Sequence, residues 1–129
     1  MTKRKNISSD TPWEEKFGYS RAVKIGDLIE VSGTTAVRGN KILFPGDAYG
    51  QTKFIIQKIS KSISEAGGSL NDVIRTRIYT TNIRLWPDIA RGHSEFFSKI
   101  KPATTLVEVK ALIKKELLVE IEATARLTK

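Results

Sequence analysis

A chain of 129 residues has room for one hydrophobic core, and its 40% apolar and 28% charged composition is that of a folded domain, not a disordered segment. It has no cysteine and a single histidine, His93, which excludes disulfides, thiolate nucleophiles and cysteine-ligated metals and leaves no basis for a metal centre or a Ser-His-Asp triad. The formal charge of +8 suits an anionic partner, but the lysines are scattered rather than grouped, as on a solvated surface.

No apolar run approaches the ~20 residues of a membrane span and no signal peptide is visible, so a cytoplasmic protein without a membrane partner is expected. Residues 1–18 lack periodicity and contain Ser8-Ser9-Asp10-Thr11-Pro12, which predicts an extended or loosely ordered lead-in before a single domain over residues 19–129. From Ala22 to Val37, Val23, Ile25, Ile29 and Val31 occupy odd positions around Gly26-Asp27 and predict a hairpin. In its second strand Ile29 and Val31 share one face, while Leu28, Glu30 and Ser32 share the other.

Gly39-Asn40 and Pro45-Gly46 bracket a short loop, after which Asp47 caps a helix over residues 48–66 that Gly67-Gly68 terminates. Phe54 or Ile55, then Ile59, Ile63 and Ala66, form its apolar stripe. Val73 to Thr81 alternates as a strand, with Val73, Arg75, Arg77 and Tyr79 on one face. A second helix begins about Trp86-Pro87-Asp88, and its stripe of Ile89, His93, Phe96, Phe97 and Ile100 makes His93 a hydrogen-bonded, partly buried residue. Strands at Thr104–Val109 and Leu117–Leu127 close the chain.

The order β-β-α-β-α-β-β predicts an α+β fold with two helices on one face of a mixed sheet. The other face should carry Glu30, Ser32, Glu108, Glu120 and Glu122 with Arg75 and Arg77. Such a face suits solvent and a subunit interface with polar clefts equally well.

Four segments add a resemblance: Gly18-Tyr19-Ser20-Arg21-Ala22-Val23, Gly26-Asp27-Leu28-Ile29-Glu30-Val31-Ser32-Gly33, Lys101-Pro102-Ala103-Thr104-Thr105-Leu106-Val107-Glu108-Val109 and Val119-Glu120-Ile121-Glu122-Ala123. With Ala66-Gly67-Gly68-Ser69-Leu70 between them, they are similar in order and spacing to the YjgF/Rid (reactive intermediate deaminase) family over residues 18–125. The resemblance implies a chorismate-mutase-like subunit, a homotrimer with clefts between neighbours, and hydrolysis of a 2-imino acid to a 2-oxo acid and ammonia with no metal or organic cofactor. It makes Tyr19, Ser32 and Gly33 cleft-lining, ligand-binding residues and Glu120 the catalytic residue that places the water.

Where deaminating members have the arginine that grips the substrate carboxylate, this chain has Thr104, and a hydroxyl cannot supply that charged, bidentate fork. This resembles the branches of the family that lack the arginine. Arg77 is the candidate replacement cation, while Glu120 and Glu122 suit a stabilising charge pair with Arg75 or Arg77 equally well. The expectation is a trimer that binds a small metabolite and hydrolyses an imine, an enamine or a related C–N bond. The alternatives are a non-catalytic binding or regulatory module, and RNA binding or cleavage. Nucleic acid is disfavoured by the lack of an interleaved aromatic and basic motif and of a histidine pair.

Overall fold

The computed structural model describes residues 3–9 and 11–128. In chain order these form β1 (Arg4–Ile7), α1 (Trp13–Phe17), β2 (Ala22–Ile25), β3 (Leu28–Thr34), a ribbon of β4 (Val37–Arg38) and β5 (Lys41–Ile42), α2 (Ala48–Glu65), β6 (Val73–Thr80), α3 (Trp86–Phe97), β7 (Ala103–Glu108) and β8 (Val119–Arg126). Six strands make one sheet in the order β1-β2-β3-β8-β6-β7, antiparallel except for β6 and β7. That exception follows from α3, because strands joined by a crossover helix run parallel. The fold is the mixed α+β arrangement that the sequence pattern predicts. No helix among the described residues is long and apolar enough to cross a membrane.

The Asp47 side chain accepts a hydrogen bond from the Gly50 N–H at 2.9 Å and so starts α2 at the expected residue. Ile55, Ile56, Ile59 and Ile63 of α2 are fully buried, as are Ile29 of β3 and Val119 and Ile121 of β8, and all belong to one core. Each such side chain contributes about 1.5–3 kcal/mol on burial, so β3, β8 and α2 hold the domain together. Gln51, also fully buried, donates to the carbonyls of Phe44 and Glu116 at 3.2 and 3.0 Å and accepts from the Leu118 N–H at 2.9 Å. One amide thus anchors both the connection into α2 and the connection into β8.

Several sequence expectations are corrected. Within the expected lead-in the described residues 3–9 and 11–18 carry ordered elements: β1 pairs antiparallel with β2, and Trp13–Phe17 is helical, capped by Gly18 at φ 78°. Its Glu14 carboxylate accepts from the Ser9 N–H at 3.1 Å, a local cap that no apolar periodicity announces. The expected hairpin forms, with Ile29 and Val31 together in the core. Its turn pairs Ile25 with Leu28 and Ala22 with Val31, so odd residues of β2 share a face with even residues of β3. Ala22 is therefore in the core, and Ile25 is 46% exposed.

In β6 the register against β8 shifts between Val73 and Arg75, and this bulge turns Val73 into the core and leaves Ile74 outside. Glu108 also leaves the polar face: it pairs beside buried Thr80, and its carboxylate accepts from the Ile83 N–H at 2.8 Å.

Candidate functional site

On the sheet face away from the helices, β3 bulges against β8. Val31 pairs with Ala123 and Thr34 with Ile121, so three steps along β3 match two along β8 and the surplus falls at Ser32-Gly33. Both residues are tied to the segment entering β2. The Ser32 N–H and Oγ donate to the carbonyls of Arg21 and Ser20 at 3.0 and 2.6 Å, and Arg21 Nη2 donates to the Gly33 carbonyl at 2.7 Å. Arg21 is 3% exposed, and its Nε finds no hydrogen-bond partner among the described residues.

Glu120 projects from β8 over this bulge. A Cβ on Gly33 would overlap Glu120 Oε2, so the carboxylate occupies space that only a glycine leaves. Burial pushes the Glu120 carboxyl above its ordinary range, the neighbouring Glu122 charge adds to this, and the Arg21 guanidinium opposes it. Glu122 accepts from the Tyr79 hydroxyl at 2.7 Å and forms an ion pair with Arg77 at 3.6 Å. That hydrogen bond, together with burial and the Glu122 charge, raises the Tyr79 phenol.

Tyr19, Arg21, Ser32, Gly33, Glu120 and Glu122 line a cavity of about 660 Å³. Trp13 and Phe17 of α1 and Leu112 and Ile113 of the connection into β8 also line it. The structure thus gathers four of the residues that the sequence singles out: Tyr19, Ser32, Gly33 and Glu120.

Arg77 does not line the cavity and reaches it only through Glu122. Thr104 lies on the exposed edge strand β7, with its Oγ1 2.7 Å from that of Thr76, which is itself 2.9 Å from His93 Nε2. Within one chain Thr104 therefore belongs to a hydroxyl–imidazole chain leading to α3, and not to the cavity. His93 is the partly buried, hydrogen-bonded residue that the helix stripe predicts, and burial lowers its proton affinity.

Arg21 stands within the Tyr-Ser-Arg-Ala motif, two residues from Tyr19, in the segment that enters β2. The sequence signal for Trp13 and Phe17 is their four-residue spacing, which makes them neighbours on a helix. Among the described residues, no group of three or more His, Asp or Glu could hold a metal. What the site offers instead is a carboxyl of raised proton affinity beside a guanidinium and a serine, a set able to take a proton from water and return it.

Comparison with known proteins identifies the family. The chain belongs to the YjgF/Rid family: the family model described as endoribonuclease L-PSP matches residues 13–127, as the four sequence segments anticipated. It is 39% identical over 121 residues to the uncharacterized protein SCO2049 of Streptomyces coelicolor, which covers 94% of this chain and 90% of that one. It is 33% identical over 108 residues to the 3-aminoacrylate deaminase RutC of Acinetobacter baylyi, covering 83% and 85% of the two chains. Among solved structures, Rv2704 of Mycobacterium tuberculosis, a member of the YjgF/YER057c/UK114 family, superposes with a TM-score of 0.89 at 43% identity, covering 97% of this chain and all of that one.

Proposed function

We propose that this protein hydrolyses the C–N bond of an imine or enamine to a carbonyl compound and ammonia, with Glu120 carrying the proton. The observation that carries the reading is the Glu120 carboxylate, packed over Gly33, raised in proton affinity and facing a cavity large enough for a substrate. An imine carbon is already electrophilic, so orientation and one proton carrier supply what the reaction needs. Water attacks that carbon as its proton passes to Glu120. Glu120 returns that proton to the nitrogen to give a carbinolamine, then takes the hydroxyl proton and delivers it to the same nitrogen as the C–N bond breaks, so that the carbonyl forms and ammonia leaves. An enamine enters the same sequence after protonation at its β-carbon.

The likeness to a protein named as a 3-aminoacrylate deaminase supports the reaction class. The substrate, in our reading, is altered by Thr104 standing where other members of the family carry the arginine. We further propose a cytoplasmic homotrimer in which the exposed edge strand β7 and exposed Ile74 and Val107 meet a neighbouring copy. RNA cleavage is not favoured, because His93, the only histidine, is tied to Thr76 on the helix side of the sheet.

The test is ammonia release from freshly generated 2-imino acids, 3-aminoacrylate and carboxylate-free imines. The wild type should accelerate at least one of them, and Glu120→Gln should lose about 100-fold or more. Binding of the carbonyl products without any turnover would instead establish a non-catalytic module. Turnover untouched by Glu120→Gln would remove the carboxylate from the mechanism.

A further inference from the structure

We propose that Arg21 is a positioning residue for this reaction: its buried guanidinium holds the Ser32-Gly33 bulge on which Glu120 packs and supplies the fixed positive charge beside that carboxylate. The inference rests on the functional reading above and assigns the residue that keeps Glu120 fit to carry a proton.

Arg21 is 3% exposed, yet its charge is permanent, because a guanidinium does not lose its proton in a protein. A buried charge is costly unless hydrogen bonds or an opposite charge compensate it. Here the compensation is incomplete. Nη2 donates to the Gly33 carbonyl at 2.7 Å, the guanidinium stands 5.6 Å from the Tyr19 ring centroid, and Nε has no partner among the described residues. Arg21 forms no ion pair among them either. A guanidinium serving the fold alone would find partners for its donors.

The geometry joins this charge to Glu120 through a single residue. Gly33 accepts the Arg21 hydrogen bond on its carbonyl, and the space its missing Cβ leaves is filled by Glu120 Oε2. The Arg21 backbone carbonyl in turn accepts from the Ser32 N–H at 3.0 Å, so residue 21 holds both members of the bulge. Each of these contacts is made within one chain, and assembly with further copies can only bury them more deeply.

The groups around Glu120 leave Arg21 as the cation that acts on it. Glu122, on the same face of β8, adds a negative charge, and burial works in the same direction. From β6, Tyr79 pairs in register with Glu120 but gives its hydroxyl to Glu122, which also takes the Arg77 ion pair. From β3, Ser32 and Gly33 are uncharged, and the Glu30 carboxylate accepts from Thr124 at 2.6 Å. Lys58 of α2 lines the same cavity and donates to the Val37 carbonyl at 3.0 Å. The Arg21 guanidinium opposes burial and Glu122 by favouring the ionised carboxylate. A proton carrier works best when its affinity lies near the working pH. Without Arg21 the proton would stay on Glu120, and water would lose its base.

The experiment follows the Glu120 carboxyl of the full-length protein by carbon NMR against pH, with Glu120→Gln identifying its signal, in the wild type, Arg21→Gln, Arg21→Met and Arg21→Lys. Both neutral variants should titrate at higher pH than the wild type. Arg21→Lys, which restores the charge without the fork, should return the midpoint towards the wild-type position. The same order should appear in the acid limb of kcat/KM for an imine that the protein hydrolyses. There the neutral variants should lose at least about threefold below neutral pH and recover in alkali, because only the ionised carboxylate accepts the water proton. An unmoved Glu120 midpoint in folded neutral variants overturns the inference and leaves the functional reading standing. A midpoint that Arg21→Lys shifts as far as Arg21→Gln does places the effect in the Gly33 contact and not in the charge, and also overturns it. Failure of both neutral variants to fold, judged by circular dichroism, assigns Arg21 to the fold alone and overturns it too. Absence of turnover by the wild type on every imine overturns the functional reading, while the titration still decides the role of Arg21.

Discussion

The two faces of β8 share one backbone and little else. Val119, Ile121, Ala123 and Ala125 are at most 1% exposed and packed in the core with α2, whereas Glu120 and Glu122 stand half-buried among Gly33, Arg21, Tyr79 and Arg77. Strand alternation separates the residues that hold the fold from those that define the cavity by a single step along the chain. The separation has a physical reason. The apolar face gains from close packing and tolerates no gap, while the polar face gains from defined partners and tolerates partial hydration.

The largest expected effect lies on the apolar face. Ile121→Ala should lower the unfolding free energy by about 2–5 kcal/mol, while Glu120→Gln should change it by less than about 1 kcal/mol, both read from urea denaturation. Equal losses would mean that the two faces are not separable. Gly33→Ala sharpens the contrast, because it reaches Glu120 from the neighbouring strand. The added Cβ must displace the carboxylate, so the variant should retain its fold, lose about 1–3 kcal/mol of stability and bind carbonyl products at least about tenfold less well. Unchanged binding would show that the observed position of Glu120 is not the functional one.

The smallest effect concerns pH. The folded-state pKa of Glu120 lies above its unfolded value, so between the two values the folded chain holds the proton more tightly and stability falls as pH rises. Below the ordinary carboxylate range the effect is absent, and above the raised pKa it is fully developed. Glu120→Gln should therefore gain stability relative to the wild type on going from acid to neutral pH. A parallel pair of stability–pH curves would contradict the assigned burial.

Most of the sheet and both long helices were legible in the sequence, because Ile55, Ile59 and Ile63 on α2 and Val119, Ile121 and Ala123 on β8 keep their periods without interruption. What failed were the positions where one extra or missing residue changes the face of a strand. The turn at Gly26-Asp27 and the bulge before Arg75 each shift alternation by one, and periodicity read along a single strand carries no information about its partner. The candidate site was half legible. Tyr19, Ser32, Gly33 and Glu120 came from the family resemblance, while Arg21, Trp13 and Phe17 enter the cavity through an N-terminal segment whose order depends on tertiary contacts.

The Gly26-Asp27 turn also sets what the cavity contains. With two residues between Ile25 and Leu28, Ala22 faces the core opposite Val31, and Arg21, one step earlier, faces the cavity. A single residue inserted there, with the same tight turn retained, would slide β2 outward by one position. Ala22 would then take the place of the guanidinium, and Val23 would crowd the core. The charge beside Glu120 is therefore specified by the length of a distant turn as much as by the identity of residue 21, and insertions or deletions in that turn would change the chemistry of the cavity without altering any residue that lines it.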